Sequence, residues 1–337
     1  MMKKLLNEQL NNRLNYFSNK NSFFQGIMFH HFHDENIHKK GQGSINQNEF
    51  YKLIKFIGRD NILDASEFFN RFKENKLSNK NVCISFDDGL KCQFDIALPV
   101  LEDLKIKSFF FVYSSIFKGE PDKLEINRYF RMNYFDDIDE FYDSFFLELN
   151  YDSSKFFQEK DKSIKNFKIK FPIYSINDIK FRLVRDELLT KDNYNDIMCK
   201  MFYAKQFKPE DYYEILFLNA NHLNEIKNLG HLIGLHSHTH PTRLEDLSVE
   251  DQTREYNDNI SILSEILNCD KNEFKYMSHP CGSYDQDTLK ILEGLGVELG
   301  FKQIMTIESE RNMETINNSF LEIAREDHSS IMKMMQL

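Results

Sequence analysis

Two clusters of side chains in this 337-residue chain have the types and spacing that chemistry needs. The first is "CISFDDGL", residues 83–90, where Asp87 and Asp88 stand side by side between an apolar run and Gly89. The second is "HSHTH", residues 236–240, which places His236, His238 and His240 directly after another apolar run. Adjacent carboxylates at the end of a buried strand are costly unless a cation offsets their charge. Successive side chains at a strand end point in different directions. One Asp can therefore bind a dication while the other stays ionised as a base for a nearby water. Gly89 permits a sharp turn or a close substrate approach. A strand would turn all three imidazoles one way, and a helix would pair His236 with His240 at i and i+4. Either geometry offers two imidazoles to one metal, and two His with one carboxylate are familiar ligands of catalytic zinc. The plain alternatives are an Asp pair that caps the following helix and a surface loop that happens to hold histidines. Neither accounts for both clusters.

These clusters need strands to carry them. Short apolar runs suited to buried parallel strands fall at 23–30, 82–89, 107–115, 231–238, 274–280, 299–305 and 320–327. Between them, "LKCQFDIALPVLEDLKI" and "VEDQTREYNDNISILSEILN" space apolar residues by three and four, as amphipathic helices do. Alternation of strand and helix implies a parallel sheet or closed barrel, with ligands bound at the strands' carboxyl ends. Polar residues gather at those ends: the Asp pair, the histidines, "SHPCGSYD" from Ser278, and Arg325-Glu326-Asp327-His328. Segments far apart in sequence are thus expected to converge on one pocket.

Residues 116–225 break the rhythm and are rich in Phe, Tyr, Lys and Asp. They are read as a mostly helical insertion within a single domain spanning 1–337, either an active-site cover or a structural appendage. Most of its aromatic residues are expected to form its own core. A formal charge of −10 argues against nucleic acid or an anionic membrane surface as the main partner. The first twenty residues begin like a signal peptide but lack an uninterrupted apolar stretch, and no segment approaches transmembrane length. Five scattered cysteines without a C-x-x-C pair suit reduced thiols. The expectation is a cytoplasmic protein with no integral membrane segment; its oligomeric state is left open.

"SFDDG" followed at a distance by "HSHTH" resembles the first two motifs of the polysaccharide deacetylase family, the NodB-homology or carbohydrate esterase family 4 domain. The resemblance covers roughly residues 23–115 and 226–337. It implies an α/β fold, a distorted (β/α)7-type barrel, and metal-dependent removal of N-acetyl, sometimes O-acetyl, groups from sugars. By carry-over Asp88, His236 and His240 hold a divalent metal, expected to be zinc, and Asp87 is the general base. His238 has no family role and is read as supporting a ligand or facing substrate.

The third family motif is present in relaxed form as "SHPCGSYD", with Pro280 and Gly282 matching. This places the backbone N–H of Cys281 where the family stabilises an oxyanion, a task suited to a rigid backbone donor. Ser278 stands where stricter members carry an Arg that pairs with the catalytic Asp. Arg325 is the expected substitute, reaching Asp87 from the last strand and holding it ionised. The family's fourth-motif Asp and Trp are absent. Its general acid is a His after the final strand, which makes His328 the candidate there. His30, in "MFHHFHDE", is the rival, because it ends the first strand inside the same ring of loops. The substrate implied is an N-acetylated sugar. With no export signal evident, it is expected to be a nucleotide- or lipid-linked intermediate of surface polysaccharide synthesis, such as lipopolysaccharide or capsule. Hydrolysis of another amide or a formyl group, and a catalytically weak carbohydrate-binding relative, are the other readings.

Overall fold

The computed structural model describes residues 26–78, 80–149, 153–170, 174–304 and 319–336. The signal-like start of the chain lies outside the described residues, as do the outer ends of the first and sixth expected strands. Seven strands form a closed, all-parallel barrel in sequence order: β1 (Gly26–Phe29), β2 (Cys83–Phe86), β3 (Phe109–Val112), β4 (Leu232–Leu235), β5 (Tyr276–Ser278), β6 (Leu299–Ile304) and β7 (Ile323–Asp327). Closure comes from β1 against β7, with Gly26 opposite Arg325 and Met28 opposite Asp327. Each strand lies within one of the seven apolar runs. The expected (β/α)7-type barrel is the fold observed.

β1 to β4 read as largely apolar runs because both faces are covered, as in any parallel barrel, whereas β6 carries Lys302 and Gln303 and β7 carries Arg325, Glu326 and Asp327. Inward positions Cys83, Phe109, Phe111, Leu299, Phe301 and Ile323 form a core cluster with Leu63, Phe68 and Phe69. The last two belong to the helix Ala65–Lys73. Phe68 packs against Phe109 and Phe301, and Phe69 against Tyr276. Asp64, just before this helix, accepts the N–H of Lys107 at the start of β3. The helix therefore closes the amino end of the barrel, leaving the carboxyl end for ligands.

The chain divides into two compact units. One holds the described residues up to 122 and from 213 onward; the other spans 123–212. The second lies between β3 and β4 in sequence and is built of helices, among them Lys123–Asn133, Ile138–Leu147, Ile176–Leu183 and Lys191–Ala204. Its Phe130, Phe141, Phe145 and Phe181 are buried, with Phe145 edge-on to Phe181. The aromatic bias of this stretch thus fills its own core. Among the described residues no helix is long and apolar enough to cross a membrane. All five cysteines stand as thiols.

Candidate active site

The carboxyl end of β2 delivers Asp87 and Asp88, both buried. Asp88 adopts φ 76° and Gly89 φ 64°, so the chain turns sharply at this point. A Cβ on Gly89 would also lie 2.9 Å from Val112 Cγ1, which leaves glycine as the residue that fits. Four of the eight described non-glycine residues with positive φ are Asp88, Ser237, His240 and Cys281. Such conformations cost about 1–3 kcal/mol each and persist where the surroundings over-determine them.

Those surroundings can be named. The helix Val249–Leu267 turns Asn259 and Glu255 towards the histidine loop. Asn259 Oδ1 accepts the His236 N–H, and its Nδ2 donates to the Val112 carbonyl, joining β3 to β4. Glu255 accepts the N–H groups of His238 and Thr239 and the Thr239 hydroxyl. His238 points its Nδ1 at Ser114 Oγ, 2.9 Å away, and takes no place among the clustered ligands.

The loop so held aims two imidazoles at Asp88. His236 Nε2 lies 3.1 Å and His240 Nε2 3.3 Å from Asp88 Oδ1. The ligand atoms of Asp88, His236 and His240 all fall within 4.8 Å of one another. His236 Nδ1–H donates to the Ser278 carbonyl at 2.8 Å, and His240 Nδ1–H to Asp122 Oδ2 at 2.8 Å. In the neutral rings these bonds leave both Nε2 lone pairs facing a carboxylate, a contact that a bound proton or metal ion relieves. The donor set therefore fits a divalent metal. Burial opposes ionisation of Asp88, yet His240 and His30 nearby hold its carboxyl well below the usual range.

Asp87 has a separate partner. Arg325 NH1 and NH2 bind its two oxygens at 2.7 and 2.6 Å. The same guanidinium donates to Ser85 Oγ and Ser278 Oγ, and Ser278 Oγ donates to Asp87 Oδ2 at 3.0 Å. Ser278 thus takes part in the network that Arg325 enters from β7. Burial opposes the Asp87 charge, but the charge and hydrogen bonds of Arg325 prevail and hold its carboxyl below the ordinary value. Arg325 is fully buried, with its guanidinium carbon 5.7 and 5.6 Å from the ring centroids of Phe111 and Phe301. Gly26 makes room for it, since a Cβ there would come 2.6 Å from Arg325 Cγ.

The two candidate acids differ in place. His30 Nε2 lies 3.9 Å from Asp88 Oδ2, at the rim of the cluster. His328 Nε2–H donates to the Gly43 carbonyl at 2.8 Å, and its ring stacks on Phe29. Cys281 lies exposed in the turn Pro280–Gly282, with φ 52°.

Several residues of this constellation carry no motif. Gln93 is fully buried and donates through Nε2 to the carbonyls of His30 (3.0 Å) and Asp87 (2.6 Å), tying the ends of β1 and β2 together. It opens a π-helical turn, Gln93–Ala97, a feature frequent at functional sites. Asp122 lies in an irregular stretch with no sequence signal. Asn259 had one, being a polar residue on the buried stripe of its helix with Tyr256, Ile260 and Leu263.

Residues 193–300 match a family model described as polysaccharide deacetylase. The match includes the histidine loop and the Pro280–Gly282 turn; the Asp pair lies before it. A search of the curated proteins found no match. Among solved structures, the chain is similar to the Streptococcus pyogenes deacetylase PplD in complex with acetate, at 16% identity, TM-score 0.53, covering 94% of this chain and 99% of that one. It is similar to IcaB from Ammonifex degensii at 13% identity, TM-score 0.51, covering 94% and 98%. It is also similar to a de-N-acetylase from Aggregatibacter actinomycetemcomitans at 12% identity, TM-score 0.50, covering 92% and 98%. At these identities the structural likeness speaks for the fold, while the family match takes in the second motif and the structure sets the first beside it. Residues 193–300 thus match the polysaccharide deacetylase family, and the barrel has the fold of the deacetylases to which the chain is similar.

Proposed function

We propose that the protein removes the N-acetyl group of a sugar with a divalent cation, Zn²⁺ by the chemistry of the donor set, held by Asp88, His236 and His240. The observation that carries this reading is the convergence of those three ligands within 4.8 Å, next to a second carboxylate kept ionised by Arg325. A cation bound there supplies polarisation of the acyl carbonyl and a lowered pKa for water. Asp87 takes the proton of the attacking water, and Arg325 keeps Asp87 charged and oriented for that task. The Cys281 N–H donates to the developing oxyanion. His30 protonates the departing amine; its 3.9 Å approach to Asp88 favours it over His328. Gln93 fixes the strand ends that carry His30 and Asp87.

An activated, nucleotide- or lipid-linked sugar as substrate, a role in surface polysaccharide synthesis, and a cytoplasmic location belong to the same proposal. The five thiols suit a reducing compartment. The test is acetate release from a panel of N-acetylated sugars, free, nucleotide-linked, lipid-linked and polymeric, by zinc-loaded wild type and Asp87→Asn. Release from an activated sugar that collapses in the variant is expected. Release from polymer alone would overturn the substrate class, and full activity in Asp87→Asn would overturn the assigned base.

A further inference from the structure

The two imidazoles of the cluster are held differently. His236 Nδ1–H meets a neutral backbone carbonyl, that of Ser278, whereas His240 Nδ1–H meets the carboxylate of Asp122 at 2.8 Å. We infer that Asp122 is a positioning residue of the cation site, which fixes His240 with its Nε2 lone pair towards the ion and strengthens it as a ligand. This inference rests on the proposed cation site and adds a residue that none of the sequence motifs contains.

Three observations support it. Asp122 is itself held: its N–H donates to the Tyr113 hydroxyl at 3.2 Å. The Tyr113 ring lies against the His240 ring, with centroids 5.2 Å apart, so one side chain from the end of β3 braces both members of the pair. His240 sits at φ 56°, a backbone conformation uncommon for a residue other than glycine, and Ser237 Oγ accepts its N–H. Without Asp122, the imidazole would lose this acceptor for its Nδ1 proton and could present either nitrogen to the ion. An oriented carboxylate removes that choice and raises ligand basicity, and loss of such a partner typically weakens metal affinity about 10–100-fold. The ligand concerned is a borderline-soft dication, for which an imidazole paired with a carboxylate is a strong donor.

The test uses Zn²⁺ alone as the probe, by competition with a chelating indicator, on the full chain. Wild type, Asp122→Ala, Asp122→Asn, Asp122→Glu and His236→Ala are compared, each with a thermal melt. The expected result is a Kd for Zn²⁺ weakened about 10–100-fold in Asp122→Ala. Asp122→Asn, which keeps an acceptor oxygen without the charge, should fall between Ala and wild type, and Asp122→Glu should recover part of the loss. A Kd within about twofold of wild type in Asp122→Ala, with an unchanged melt, overturns the role of Asp122 while leaving the site intact. Should Asp122→Ala fail to fold, an unchanged Kd in Asp122→Asn overturns it instead. Wild type that binds no Zn²⁺, or zinc retained in full by His236→Ala, overturns the cation site itself and this inference with it.

Discussion

Arg325 on the last strand and Asp87 at the end of the second form a two-point ion pair, at 2.7 and 2.6 Å, fully enclosed by the barrel. Taking both charges out of water is expensive, and only close, two-point geometry with further hydrogen bonds offsets the loss. Those bonds come from Ser85 and Ser278. The pair uses the barrel's closure as its mechanism of assembly, because β7 reaches β2 only across β1. Removing either member leaves the other buried and unpaired, which typically costs about 3–5 kcal/mol.

Arg325→Gln should therefore weaken both stability and rate. Asp87 is held below the ordinary carboxyl value, so the stability it adds is present above the unfolded-state pKa and is lost as pH falls through the folded value. Without Arg325 the burial effect loses its largest opponent, leaving His236 and His30 against it, and Asp87 rises. The acid limb of the pH–rate profile should move to higher pH in the variant, and the denaturant midpoint should fall. A profile that superimposes on wild type would disconnect Arg325 from the base.

Gly26→Ala tests the same pair from the other side. The new methyl would meet Arg325 Cγ at 2.6 Å, and overpacking of this kind costs about 1–3 kcal/mol. The guanidinium must shift, so turnover should drop while Zn²⁺ affinity, which the proposal assigns to residues after β2 and β4, stays near wild type. Equal losses of zinc affinity and turnover would mean that the barrel as a whole has loosened.

How much of this was legible in the sequence follows from where each partner lies. All seven strands were legible, because a strand covered on both faces reads as a largely apolar run, and several of the runs end in polar residues at the ligand-binding end. Asp88, His236 and His240 were legible through motif and spacing. Arg325 was readable through an absence, the Ser278 that stands in place of an arginine. Gln93, Glu255 and Asp122 were not, since each acts by a hydrogen bond to another segment, and neither periodicity nor composition records that. The π-helical turn at Gln93–Ala97 was likewise hidden, because the spacing of apolar residues there is compatible with an ordinary helix.

Stability should also depend on pH away from the site. His231 is buried where Ser108 N–H donates to its Nδ1 and its Nε2–H donates to Glu102. Burial pushes its pKa down to about 4, against the pull of Glu102. The unfolded chain therefore binds a proton near pH 6.5 that the folded chain refuses until about pH 4. Stability is full above the unfolded value and falls as pH drops between the two, by on the order of 3 kcal/mol for this group. His231→Gln should flatten that part of the melting-temperature profile, and an equally steep profile in the variant would assign the loss elsewhere.

The last prediction separates the two candidate acids. His30 reaches the rim of the cluster, 3.9 Å from Asp88 Oδ2, whereas His328 spends its Nε2–H on the Gly43 carbonyl and its ring face on Phe29. An acid that protonates a leaving amine contributes about 10²–10⁴ in rate, and the amine cannot depart readily without it. His30→Gln should thus lower kcat by about that factor on an N-acetyl sugar, with melting temperature and Zn²⁺ affinity little changed. An aryl ester, whose leaving group needs no proton, should be spared most of the loss. His328→Gln should instead lower the melting temperature, because it removes a ring packed in the core, and should affect both substrates alike. If the ester is spared in His328→Gln rather than in His30→Gln, the acid is the residue after the last strand, and the His30 assignment fails.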